Sequence, residues 1–397
     1  MKELEKLICQ QALDDHEYVV SLRRHFHAHP ELSKQEYKTA DKIEEELHKL
    51  GLETERVGET GVFTKIKGHT EGKTVLLRAD MDALPINEQT DCPYKSQNAN
   101  VMHACGHDSH TASLLGAARI LSQNTDKFAG TILLAFQQAE ECGYGGRLFV
   151  DGGYLDGADR VIGMHIKPDL DCGTVGLCEG PTYASVDWFR ITVNGKAAHV
   201  STPDKGVDAL YIASQIVVAI QALVSRLASP MENLLIGIGK LTAGESYNIV
   251  APKAVMEGTI RAFSPTLRQE TKERIEETAK HIAAIYGGTV SLEWADYTSP
   301  LINDGGVTAE ALIVAERLFG HENVTTRIDK ALVGDDFAEY LLKVPGTYIQ
   351  FGTRNADRPE TALPLHNEKV NIDEDYMKYS VQMFCCYAMD FLNNEIE

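Results

Sequence analysis

Apolar residues recur at helical spacing from the start of the chain. Leu4, Leu7, Ile8, Leu13, Val19, Val20, Leu22 and Phe26 predict one helix over residues 3–27, which Pro30 ends. A second helix is expected over 35–50, stopping at Gly51. The period then shortens. Residues 61–67, 74–80, 131–136 and 160–166 read as short strands, with a helix over 109–121 among them. Strands alternating with helices predict an α/β sheet with crossover connections. The texture changes near Ser185. Residues 186–195 alternate like a half-buried strand, and a long helix over 207–227 follows. Strands at 234–241 and 254–263, a charged helix at 265–286 and a strand at 290–294 complete a β-α-β-β-α-β order, which is that of a ferredoxin-like unit. After Asp296 the α/β texture resumes, with a helix over 306–319, another from Asp335, a strand at 347–351 and a terminal helix from Asp373. The expected organisation is an α/β domain in two parts, 1–184 and 298–397, interrupted by a small inserted α+β domain at 185–297.

Length agrees with that division, because 397 residues exceed one ordinary core of ~100–200 residues. The formal charge of −20 argues against a nucleic-acid partner, which needs a surplus of Lys and Arg. The first 20 residues are amphipathic and charged, with no apolar core of a leader peptide, and no window is expected to approach the ~20 apolar residues of a membrane helix. Cys9, Cys92, Cys105, Cys142, Cys172, Cys178, Cys385 and Cys386 show no framework spacing and read as reduced thiols of a cytoplasmic protein.

The densest chemistry is MHACGHDSH at 102–110, with three histidines and a cysteine in nine residues. In extended backbone Cys105 and His107 would leave the chain on the same side, which suits shared coordination of Zn²⁺ or a similar ion. Taken alone, a buried cysteine beside a structural histidine is the commoner meaning of such a pair. Glu140 and Glu141 follow a strand-like run; one carboxylate could bind a metal while the other acts as a base. An acidic pair on a loop is the bland alternative. His165 lies in an apolar run and His366 in a loop after Pro364. Together, these residues at strand ends match the way open α/β sheets build sites at their carboxyl edge.

The segments LLRADMDALPI (76–86), MHACGHDSHTASLLGAA (102–118), FQQAEE (136–141), GMH (163–165), GKAAHVSTPDKGVDA (195–209), GTIRAF (258–263), DDFAEYL (335–341) and LHNEKVNIDE (365–374) resemble the amidohydrolase branch of the aminoacylase/carboxypeptidase dinuclear metallohydrolase family. Hippurate hydrolases, N-acyl-amino-acid deacylases and indoleacetyl-amino-acid hydrolases belong to that branch. The resemblance implies a mixed-sheet catalytic domain with an inserted ferredoxin-like lid that dimerises. It also implies two divalent ions per subunit, Mn²⁺ or Zn²⁺ with Co²⁺ or Ni²⁺ acceptable. Their ligands would be Cys105 as the bridge, His107, Glu141, His165 and His366. Glu140 would be the general base and acid. His199 would support the developing oxyanion in the other subunit's site, and Asn248 and Arg261 would hold the substrate carboxylate. Asp82 is a candidate orienter of the ligands, and Asp80 a weaker candidate for contact with the ions.

The activity so implied is hydrolysis of N-acyl amino acids to a carboxylic acid and a free amino acid, with a small-molecule substrate and no membrane. The alternatives are a dipeptidase or carboxypeptidase on the same scaffold, or a metal-binding regulatory protein with a dead site. The chain departs from the branch at Gln138 (usually Pro), Asp204 (frequently His), Asn367–Glu368 (usually Ser-Pro) and Asp335 (commonly Glu). None of these removes an expected ligand or the base.

Overall fold

The computed structural model describes residues 2–396. It divides into two compact units, one of Met1–Gly180, Ile302–Asp329 and Asp335–Glu397, the other of Pro181–Leu301 with Lys330–Gly334.

The first unit is built on an eight-stranded mixed sheet. Its order is Thr54–Val57, Gly61–Lys67, Thr131–Gln137, Thr74–Asp80, Arg160–Asp171, Gly346–Arg354, Val175–Gly176 and Val324–Thr325. The four long central strands are parallel, so their carboxyl ends share one edge. Thr74–Asp80 is buried along all but its first residue, the pattern of a strand covered on both faces. The helices Glu3–Asp14, His16–Ala28, His107–Gln123 and Tyr376–Leu392 pack on one another, and Ile8, Val19, Phe26, Leu115 and Met383 share a core with Leu77 and Phe136 of the sheet.

The N-terminal apolar period predicts one helix; the structure has two, Glu3–Asp14 and His16–Ala28, parted at Asp15. The Asp15 carboxylate accepts from Arg119 Nε at 3.0 Å, a long-range partner that a periodicity cannot reveal. The strand Thr54–Val57 and the helix Gly145–Asp151 are not anticipated by the apolar pattern.

The second unit is a four-stranded antiparallel sheet ordered Thr289–Thr298, Val186–Asn194, Lys253–Ala262, Leu234–Ala243. In chain order that is fourth, first, third, second, with the helices Ala209–Arg226 and Pro265–Ile285 as connections, which is the ferredoxin-like arrangement. Alternating burial along Val186–Asn194 and Lys253–Ala262 turns Phe189, Ile191, Met256 and Ile260 onto the helices' Ile212, Ile216, Ile275 and Ala279. Asp208 caps the first helix by accepting from Leu210 N and Tyr211 N; Ser264 caps the second, with Pro265 at its first position. One expectation is corrected here. The helix Ala209–Arg226 is long and apolar enough, by length and composition, to cross a membrane. Its residues Ile212, Ile216, Ile220 and Leu223 are buried in the core of their own unit, which accounts for the apolar composition.

Candidate metal centre

The site lies at the carboxyl edge of the parallel strands in the first unit. Asp80 ends one strand, His165 lies within the next, and Glu140 and Glu141 follow a third. Cys105 and His107 are not in extended backbone, as the sequence reading supposed. Gly106 between them has φ 88°, and His107 begins the helix His107–Gln123. Glycine suits the position on two counts, the left-handed φ and the close approach of Ile166, whose Cδ1 would lie 2.3 Å from a Cβ there.

Two of the histidines have a defined tautomer. His107 Nδ1 lies 2.9 Å from the Asp82 carbonyl oxygen, and His165 Nδ1 lies 2.8 Å from that of Ile166. A carbonyl only accepts, so both rings carry a proton on Nδ1 and turn Nε2 towards the site. His165 Nε2 is 3.4 Å from Cys105 Sγ. His107 Nε2 has no hydrogen-bond partner, and around it stand Asp80 Oδ2 at 3.8 Å, Glu140 Oε2 at 3.9 Å and Glu141 Oε1 at 4.0 Å. Glu141 Oε1 also lacks a hydrogen-bond partner and lies 3.4 Å from His366 Nε2. His366 holds φ 64°, half exposed in its loop, and its backbone N–H donates to the Ala104 carbonyl at 2.8 Å.

Asp82 ties these pieces together. Its carboxylate accepts from the backbone N–H groups of Glu140 and Glu141, each at 3.1 Å, and from Ser33 Oγ at 2.6 Å. The same side chain lies 3.3 Å from His107 Nδ1. The glycines after the acidic pair let that loop fold back tightly. A Cβ at Gly145 would lie 1.7 Å from the Gln138 carbonyl oxygen, and Gly146 N donates to Asp336 Oδ2 at 2.8 Å.

Electrostatics identifies what the cluster lacks. Burial, then Asp335, Glu141, Asp336 and Asp82, push the Glu140 carboxyl well above its usual range. Burial and the carboxylates of Glu141, Glu140 and Asp80 push the Cys105 thiol up in the same way. At His107 burial favours the neutral ring, yet Asp80 and Asp82 outweigh it and raise the imidazole to about 10. Glu140 and Cys105 are thus disfavoured as anions and His107 is drawn towards its cation, so the cluster is short of positive charge. Bound cations would reverse that balance. Ligand atoms of Cys105, His107 and His165 lie within 4.8 Å of one another, as do those of Cys105, Glu141 and His366, and of His107, Glu140 and Glu141. A thiolate, imidazoles and carboxylates with orphaned lone pairs fit divalent transition-metal ions.

The structure therefore gathers Cys105, His107, Glu140, Glu141, His165 and His366 at one edge. The other three expected residues belong to the second unit. His199 is exposed and pairs with Ser201 Oγ through Nδ1 at 2.7 Å, and Val200 N donates to the Asn248 carbonyl at 3.0 Å, so His199 and Asn248 are neighbours there. Arg261 is half-buried and donates to Thr259 Oγ1 at 2.6 Å. Arg78 and Asp336 are not among the residues expected at the site, and Asp335 is singled out in the sequence only as a departure from the branch. Arg78 is fully buried and donates to Asp80 Oδ2 at 2.6 Å, to Asp336 Oδ1 at 3.1 Å and to Gln137 Oε1 at 2.9 Å; Asp335 Oδ1 lies 3.3 Å away. An arginine inside the apolar run LLRAD was the available signal, since a charge in a fully buried strand demands acidic partners.

The fold and the site are those of a metal-dependent hydrolase. The sequence pattern of peptidase family M20/M25/M40 matches residues 76–390, and the chain belongs to that family. It is 42% identical over 338 residues to an N-acetyl-L-cysteine deacetylase of Bacillus subtilis (strain 168), covering 84% of this chain and 80% of that protein. It is 37% identical over 382 residues to thermostable carboxypeptidase 1 of Saccharolobus solfataricus, covering 95% and 96%. Among solved structures it is similar to the YXEP protein of Bacillus subtilis, described as a dinuclear metal-binding peptidase of the M20 family, with a TM-score of 0.83, 37% identity and coverage of 95% and 98%.

Proposed function

We propose that the protein is a metal-dependent amidohydrolase that cleaves N-acyl amino acids to a carboxylic acid and a free amino acid. The observation that carries this is His107 Nε2, buried without a hydrogen-bond partner among three carboxylates beside the Cys105–His165 pair. Similarity to an N-acetyl-L-cysteine deacetylase supports the substrate class. In this reading Cys105, His107, Glu141, His165 and His366 hold two divalent ions, Mn²⁺ or Zn²⁺ with Co²⁺ or Ni²⁺ also accepted by the donor set. When bound, the ions lower the pKa of water towards neutrality and polarise the substrate carbonyl.

The remaining chemistry belongs to the chain. Glu140 takes the proton of the attacking water on its carboxylate and hands it to the leaving amine nitrogen. Asp82 fixes the backbone of Glu140 and Glu141 and the ring of His107, so base and ligands keep a common geometry. His199 supports the developing oxyanion across a homodimer formed through the inserted domain. Arg261, with Asn248, offers a fork matched to the substrate carboxylate. The protein acts in the cytoplasm.

Similarity to a carboxypeptidase favours one second reading, cleavage of peptides on the same scaffold. Metal-reconstituted protein offered N-acetyl, N-benzoyl and longer N-acyl amino acids beside simple dipeptides separates the two. Release of amino acid from the acyl substrates is expected. Turnover of dipeptides alone would sink the first reading.

A further inference from the structure

A chain of four buried groups leads from the centre of the sheet to His165. Arg78 Nη1 donates to Asp80 Oδ2 at 2.6 Å. The other oxygen, Oδ1, lies 2.6 Å from His110 Nδ1, and on the far side of that ring Ile166 N lies 3.1 Å from Nε2. The backbone N–H can only donate, so His110 Nε2 accepts, and its proton sits on Nδ1 facing Asp80. The next peptide group of the strand Arg160–Asp171 then acts on the site, because the Ile166 carbonyl takes the Nδ1 proton of His165 at 2.8 Å. The two rings stand edge to face, with centroids 4.7 Å apart. Asp80, His110 and Arg78 have no exposed surface, so water does not compete for these bonds.

We propose that Asp80 and His110 are positioning residues that hold the His165 ring, through the Ile166 backbone, with Nε2 aimed at Cys105. Both oxygens of Asp80 take part in the chain, one held by Arg78 and one by His110. Arg78 sets the polarity of the chain. Its guanidinium is also held by Asp336 and lies beside Asp335, whose second oxygen accepts from the Tyr348 hydroxyl, so it cannot turn away from Asp80 without stranding a buried charge. The effect reaches the ion held by Cys105, His107 and His165, and leaves the one held by Cys105, Glu141 and His366. The proposal rests on His165 being a metal ligand.

The test is elemental analysis of metal-loaded, full-length protein dialysed against graded chelator, which resolves the release of two ions. His110→Asn keeps a donor towards Asp80 and loses the acceptor for Ile166 N. It should release one ion at a chelator activity ~10–100-fold lower than wild type, with the second ion unchanged. His110→Gln, whose carboxamide oxygen takes the place of Nε2, should stay near wild type. Should His110→Asn fail to fold, Asp80→Asn, which is nearly isosteric, carries the same test. With its oxygen turned to Arg78, its amide faces His110 Nδ1 and forces the proton onto Nε2, donor against donor at Ile166 N, so one ion should again be released early. Equal weakening of both ions, or release of both as in wild type, would overturn the proposal. His165→Ala guards the premise. If that variant keeps two ions with wild-type release, the ligand assignment itself fails. If it loses one ion while the His110 and Asp80 variants keep both, only the positioning role fails.

Discussion

Two buried clusters in the first unit use the same kinds of side chain and arrive at opposite states. One is His27, Glu88 and Cys92; the other is made of overlapping trios such as Cys105, His107 and His165, or His107, Glu140 and Glu141; within each trio the ligand-type atoms lie within 4.8 Å of one another. In the first, charge is balanced from within. Asp108 Oδ2 accepts from Arg23 Nε at 2.9 Å and His27 Nδ1 at 2.8 Å. His27 Nε2 faces Glu88 Oε1 at 3.2 Å, Ser96 N donates to Glu88 Oε2 at 2.7 Å, and Arg23 reaches Glu374 at 2.8 Å and Asn371 at 3.0 Å. Burial disfavours the His27 cation, yet Asp108 and Glu88 prevail and raise its pKa. In the second, carboxylates outnumber cations. Crowding of possible ligands is common to both, so crowding does not mark a metal site. Unpartnered buried atoms occur in both, Asp108 Oδ1 in the first and His107 Nε2 and Glu141 Oε1 in the second, so the surplus of negative charge is what sets the second apart.

Perturbing the two clusters should therefore have different consequences. The largest expected effect is removal of ions from the second. Chelation should abolish hydrolysis of N-acyl amino acids, and Zn²⁺ or Mn²⁺ should restore it, as followed by amino-acid release. Retention of full activity by metal-free protein would break the comparison. Next, Glu140→Gln should lower kcat by ~10²–10⁴-fold with two ions still bound by elemental analysis. A variant with full turnover would remove Glu140 as the base.

The first cluster should respond in stability. Arg23→Met strands the buried Asp108 carboxylate and should cost about 3–5 kcal/mol in urea unfolding of the metal-loaded protein, with ion content unchanged. Loss of an ion in that variant would show that the clusters are not separable. The smallest effect expected is one of pH. Burial raises the Glu88 carboxyl, but His27, Thr90 and the Ser96 N–H more than offset this and bring it down from 4.5 to about 2. A depressed folded pKa means that the ionised carboxylate stabilises the fold fully above about 4.5, and that this contribution drains away as pH falls towards about 2. The stability gap between wild type and Glu88→Gln should be constant from pH 7 to 5 and should close between pH 4.5 and the acid limit. A gap that widens on acidification would reverse the sign.

The contrast also explains what was legible in the sequence. Strands such as Thr74–Asp80 and helices such as Pro265–Ile285 announce themselves, because burial on a pleat or a helix face imposes a period on neighbouring residues. Cys105, His107, Glu140 and Glu141 stand out because their residue types are dense within short motifs. The rest depends on partners distant in the chain. Arg78 meets Asp336 across 258 positions, Arg23 meets Asp108 across 85, and Asp15 divides the N-terminal helix with the help of Arg119, 104 positions away. No local pattern encodes such pairs. The turn at Gly106 is likewise set against a distant neighbour, Ile166 on another strand, which no local pattern shows.

That glycine also bears on mutational tolerance. Within MHACGHDSH it shares with Ala104 the lack of any reactive group, and a ranking of positions by reactivity would place both last. Any side chain there meets two independent penalties, a left-handed backbone at φ 88° and a collision with Ile166 Cδ1. Relief of one leaves the other, so neither a smaller residue at 166 nor an asparagine at 106 is a sufficient single step. The spacing between Cys105 and His107 is thereby protected by a double lock at a position that carries no functional group.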